Sequence, residues 1–160
     1  MSAGSWQAFA DALEQENRCL GELGAAALAL TGVLVCGTPA EIEAADRMLD
    51  ARRIMHAQAH QRRVSMMKRG FGDRQLRQVC AYAPPALRRS VFTSLRELRT
   101  RAIALQITVA NNKTLINAGL TRIANTIAVI QKSLNDEAGT YRRRGKASGR
   151  SASLMVSRKA

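Results

Sequence analysis

Aromatic side chains make up only 4% of this 160-residue chain, and proline occurs three times. A core of this composition is expected to be aliphatic, and abundant Ala, Leu, Arg and Gln favour helices. Three cysteines, Cys19, Cys36 and Cys80, are an odd number with no CxxC or Cys/His metal spacing. That pattern fits free thiols in a reducing compartment better than a disulfide frame. The first 17 residues lack Lys and Arg, and Asp11, Glu14 and Glu16 interrupt any apolar stretch there, so a secretory signal is not expected. The one long uncharged run, Leu23 to Ala40, has the length to span a bilayer. It contains Gly24, Thr31, Gly32, Gly37, Thr38 and Pro39, and reads instead as the buried end of a helix plus a turn. The expected location is cytoplasmic.

Signals for catalysis are also missing. Gly70-Phe71-Gly72 has neither the spacing of a phosphate loop nor a preceding strand. His56 and His60 stand four apart on an expected helix, but no carboxylate or cysteine lies at ligand spacing beside them. Glu41 with Glu43 and Asp46 with Asp50 sit in a helix's first turns, where the dipole stabilises acids. No nucleophile has a plausible base. An enzyme is not expected, nor is a cofactor or metal.

What the chain does have is charge, unevenly placed. Residues 1–50 carry two arginines against eight acids, a net of −6, and residues 51–160 carry 23 Lys and Arg against four acids, a net of +19. An excess of that size suggests nucleic acid, anionic lipid or an acidic protein partner.

The periodicity is helical. Helix one is expected from Ser5 to about Val35, with Trp6, Phe9, Leu13, Leu20, Ala27 and Leu34 on one face and Asn17 interrupting it. Gly37-Thr38-Pro39-Ala40-Glu41 places a turn glycine, an N-cap threonine, a proline at the first helical position and a glutamate at the third. A tight turn there makes helices one and two an antiparallel hairpin. Helix two is expected from Pro39 to about Lys68, with Ile42, Ala45, Leu49, Met55, Ala59 and Met66 inward and Arg52, Arg53, Arg62 and Arg63 outward. Gly70-Phe71-Gly72 ends it, and Asp73 can cap a short helix to about Tyr82.

The longest element begins after Pro84-Pro85. Val91, Leu95, Leu98, Ala102, Leu105, Val109, Asn112, Ile116, Leu120, Ile123, Ile127, Ile130 and Leu134 follow one another by three or four residues, the spacing of one helix face. Two successive fours through Asn112, Ile116 and Leu120 form a stutter, and the seam is expected to change partner or geometry there. From Leu87 to Leu134 such a helix spans roughly 72 Å, against roughly 45 Å for each hairpin helix. Its C-terminal part is therefore expected to overhang the hairpin and leave an aliphatic strip for a partner helix or a homodimer.

After Glu137 the composition changes. Ala138 to Ala160 holds seven Lys or Arg, no acid, three Gly and four Ser, too little apolar content to pack. The expected organisation is all-α: an antiparallel helical hairpin packed on one long C-terminal helix over residues 1–137, with a disordered basic tail over 138–160.

One ordered set of segments resembles a known family. The hairpin turn Leu34-Val35-Cys36-Gly37-Thr38-Pro39-Ala40-Glu41 is followed by His60-Gln61-Arg62-Arg63. Then come Asn112-Lys113-Thr114-Leu115-Ile116 with its aliphatic repeat to Ile130, the segment Thr140-Tyr141-Arg142-Arg143-Arg144-Gly145, and Arg158-Lys159-Ala160 at the end. In this order the chain resembles the FlgN family of flagellar type III export chaperones. The resemblance implies a cytosolic, non-enzymatic chaperone that holds hook–filament junction proteins by their C-terminal helical segments. By position it implies a client-binding strip of Leu115, Ile116, Leu120, Ile123, Ile127 and Ile130, and a docking role for Tyr141 on the export gate's cytosolic domain. Two other readings stay open: a nucleic-acid-binding protein using the +19 segment, and a homodimeric coiled-coil scaffold joined through Ile116 to Ile130.

Overall fold

A threonine and a glutamate set the first turn of the fold. Thr38 is extended at φ −79° and ψ 160°; its hydroxyl accepts the Glu41 N–H at 3.4 Å, and its own N–H donates to Glu41 Oε2 at 2.7 Å. This reciprocal cap separates α1 (Ala3–Cys36) from α2 (Pro39–Phe71) in the computed structural model. The structure describes the backbone of residues 3–142 and the side chains of residues 4–135. The short α3 (Leu76–Ala81) and the long α4 (Pro85–Arg142) follow, and no strand occurs among the described residues.

The stops have local causes. Gly72 ends α2 with φ 68°, a backbone that a side chain would strain, and its N–H closes on the Lys68 carbonyl at 3.0 Å. Asp73 does not cap α3 as expected, because the turn after Gly72 takes it up. Gln75 stands at the N-cap instead, and its N–H donates to Gln78 Oε1 at 3.1 Å. α4 runs past its expected end near Leu134 to Arg142. No proline follows Pro85, and one interior glycine such as Gly139 costs a helix only about 1 kcal/mol.

The chain forms two compact units, Met1–Ala118 and Gly119–Ala160. Within the first, polar pairs fix the direction of each helix. Glu16 meets His60 and Arg63, and Glu22 meets Arg52 at 2.7 Å, so α1 and α2 are antiparallel. Asn17 meets Glu97 and Arg101, while Ala27 and Thr31 meet Asn112, so α4 lies parallel to α1. The all-α hairpin packed on a long helix is the fold the periodicity predicts.

The core is less aliphatic than the composition implies. Trp6, Phe9, Ala10 and Leu13 of α1 pack with Val79 and Cys80 of α3, Ala83 of the turn and Val91 of α4. Three of the six aromatics gather there: the Trp6 and Phe71 rings lie 4.8 Å apart and those of Phe9 and Phe71 5.9 Å apart, both edge to face. Such pairs add about 0.5–1.5 kcal/mol beyond the area they bury. Farther along, Leu20, Ala27 and Leu30 continue the buried face of α1. Gly4–Cys36 is long and apolar enough to cross a membrane by length and composition, and the run from Leu23 is split between buried Ala27 and Leu30 and exposed Leu28 and Val35. On α2, Ala59 is buried as expected, Ile42, Ala45, Leu49 and Met66 are half-buried, and Met55 is exposed.

Candidate partner-binding surface

The second unit carries the aliphatic strip. Leu120, Ile123, Ile127 and Ile130 follow at three- and four-residue steps on α4, and they are 60%, 57%, 49% and 53% exposed. One face of one helix therefore presents four branched aliphatic side chains to solvent. Leu134 and Val129 are exposed as well. Between Leu115 and Gln131 the only charged residue is Arg122. The hydroxyls of Thr126 and Ser133 donate to the carbonyls of Arg122 and Val129 one turn back, at 3.0 and 3.1 Å, so these polar groups are satisfied within the helix. Burying one Ile fully is worth about 1.5–3 kcal/mol relative to full exposure, and about half that remains available at a half-exposed position.

Leu115 and Ile116 belong to the first unit. Leu115 is half-buried and Ile116 exposed. Tyr141 lies on the α4 backbone, but its side chain falls outside the described residues, as does the tail from residue 143.

The stutter falls on a buried polar contact. Asn112 is buried; its Nδ2 donates to the Ala27 carbonyl at 2.9 Å, and its Oδ1 lies 2.7 Å from the Thr31 hydroxyl, which donates to it. A buried asparagine in an apolar seam fixes register. The stripe residues on either side of it, Val109 and Ile116, are 49% and 42% exposed.

A polar layer that the helix periodicity does not announce lies inside the hairpin. Arg63 was expected on the outer face, but it is buried, with its Nε on Glu16 Oε2 and its Nη2 3.3 Å from Glu16 Oε1. The His60 ring Nδ1 donates to Glu16 Oε1 at 2.8 Å. Burial pushes the Glu16 carboxyl upward, but hydrogen bonds from Arg63 and His60 and the Arg63 charge outweigh it and hold the carboxyl below its ordinary value. One signal existed: Glu16 is a lone acid in the α1 apolar face, and a buried charge needs a partner. Asn17 has a similar explanation. Its side-chain Nδ2 donates to Glu97 Oε2 at 2.8 Å, and its backbone carbonyl accepts from Arg101 Nη1 at 2.7 Å. Gly21 makes room for that arginine, since a Cβ there would stand 2.7 Å from Arg101 Nη1.

This layer offers structure rather than reactivity. The His56 and His60 rings lie 6.2 Å apart, and burial lowers the His56 pKa. Burial also pushes the Cys80 thiol up to about 11, far from a reactive thiolate. Among the described residues no group of three or more His, Cys, Asp or Glu could hold a metal ion. No family model, characterised protein or solved structure matches this chain.

Proposed function

We propose that the chain is a cytosolic export chaperone of the FlgN type. It binds the C-terminal helical segment of flagellar hook–filament junction proteins and delivers them to the type III export gate. The observation that supports this reading most is the exposed, almost uncharged aliphatic face from Leu120 to Ile130. A soluble protein seldom leaves such a face bare, and a helix laid into it gains about 25 cal/mol per Å² of apolar area buried, before ordering costs. Leu115 and Ile116 contribute to the client contact in the same reading, and Tyr141 docks the loaded chaperone on the export gate's cytosolic domain. The order of hairpin, long helix and Thr-Tyr-x-x-x-Gly segment supports the assignment to this class.

The test is binding of the full chain to labelled peptides from the C-terminal ends of the hook–filament junction proteins of the same genome, at physiological salt, with duplex DNA as competitor. Saturable binding that DNA does not displace is expected, and it should disappear in the Ile123→Asp/Ile127→Asp double variant. Tyr141→Ala should impair export in cells and leave peptide binding intact. Absent peptide binding, alongside DNA affinity that collapses with salt, assigns the +19 segment to nucleic acid instead. A concentration-dependent dimer through the strip, with no peptide bound, makes the chain a scaffold.

A further inference from the structure

A second surface, in the first unit, has different chemistry. Between α3 and the start of α4 lies an open groove of about 710 Å³. Leu76, Leu95 and Leu98 form its floor and pack inward on the core, while Phe92 stands at its side, 43% exposed. Arg77, Arg96 and Arg99 rim it, and none of the three forms an ion pair among the described residues. A contiguous cleft of about 490 Å³ shares Phe92 and Arg96 and adds Arg88 and Arg89. From Arg74 to Arg101 the chain has seven arginines and one acid, Glu97. That acid accepts from Asn17 of α1 and pairs with Arg101 at 3.8 Å, an arginine outside the rim, so none of the three rim arginines is matched by it.

The rim attracts carboxylates or phosphates, since each guanidinium can hold either through paired donors. The floor distinguishes between them. Phosphates and sugars gain nothing from three leucines, whereas an amphipathic helix buries its apolar side chains there and places acids on the rim. Phe92 to Ala102 covers about 15 Å of α4, the rise of ten residues. That matches anchors at i, i+3 or i+4, and i+7 on an incoming helix.

We propose that this groove docks an amphipathic helix of an acidic partner protein, with its apolar residues on Leu76, Phe92, Leu95 and Leu98 and its carboxylates on Arg77, Arg96 and Arg99. The site is separate from the client strip and does not depend on the export reading.

The probe is a fluorescein-labelled helical peptide of about 18 residues, with leucines at i, i+3, i+4 and i+7 and glutamates on both flanks. Its binding to the full chain is followed by anisotropy at physiological salt. Saturable binding is expected, weakened at least tenfold in Arg96→Glu/Arg99→Glu and again in Phe92→Ala, with circular dichroism melts unchanged. The same peptide with lysines for glutamates should not bind, and Ile123→Asp/Ile127→Asp should bind the acidic peptide as well as the parent chain does. No saturable binding, or equal affinity in the arginine variant, overturns the proposal. So does loss of binding in the isoleucine variant, because the peptide would then be reading the α4 strip. If duplex DNA displaces the peptide and itself loses affinity in the arginine variant, the groove belongs to nucleic acid and the proposal fails.

Discussion

Two stretches of α4 have the same apolar period, and only one of them has buried positions. From Val91 to Asn112 the stripe begins and ends on side chains that are 1% and 5% exposed, with Leu95, Leu98 and Leu105 half-buried and Ala102 and Val109 exposed between them, whereas from Leu120 to Leu134 every stripe residue is about half exposed or more. Period alone therefore chooses a face and does not say whether anything covers it. In the first unit, α1 supplies the cover. It runs parallel to α4, Thr31 reaches Asn112, and α1 ends at Cys36. Five residues of α1 remain beyond that contact, so its cover gives out about five residues past Asn112. Asn112 is the last buried residue of the stripe.

The largest contrast should come from placing a carboxylate in each stretch. Val91→Asp buries an acid without a partner, and a loss of more than about 4 kcal/mol is expected in urea melts. Ile127→Asp should stay within about 0.5 kcal/mol of the parent. Comparable losses at both sites would show that something covers the distal stripe.

Arginines repeat the contrast. Arg63→Ala leaves Glu16 buried without its main partner and should cost about 3–5 kcal/mol. Arg99→Ala, at an exposed position with no ion pair among the described residues, should cost under about 0.5 kcal/mol. A mild Arg63→Ala effect would mean that water reaches Glu16 in the folded protein.

The asparagines sharpen the boundary. Asn112→Ala removes the asparagine's two hydrogen bonds but leaves the Thr31 hydroxyl donating to the Ala27 carbonyl at 3.1 Å, and should cost about 0.5–1.5 kcal/mol, while Asn125→Ala, on the exposed stretch, should be close to neutral. Equal effects would remove Asn112 as the register point.

The smallest effect is in pH. The Glu16 carboxyl is held below its ordinary value of 4.5, so the stability it contributes is complete above that value and is lost as pH falls through the depressed one. Melting temperature should therefore fall less steeply between about pH 5 and pH 3 in Glu16→Gln than in the parent chain. Identical slopes would assign the acid sensitivity to other carboxylates.

Much of the fold is legible in the residues. Thr38, Pro39 and Glu41 announce the hairpin because a capping box needs only four neighbouring residues, and helix periodicity is likewise a local property. Asp73 misled for the same local reason: aspartate favours an N-cap, but Gly72's left-handed backbone had already drawn it into the turn. Arg63 misled because a basic residue on a mixed face reads as solvated until its partner, 47 positions away, is known. The groove between α3 and α4 gave no signal, since Leu76 and Leu95 belong to separate helices that the Ala83-Pro84-Pro85 turn brings together.

The sequence by itself determined the helices, their caps and the apolar face each presents, because those depend on backbone sterics and hydrogen bonds within a few residues. Only the tertiary structure decided which stretches of those faces are covered, which charges are buried as pairs and where arginines surround an apolar floor. Cover, burial and concavity depend on what a distant segment places alongside, and a one-dimensional pattern holds no record of that distance.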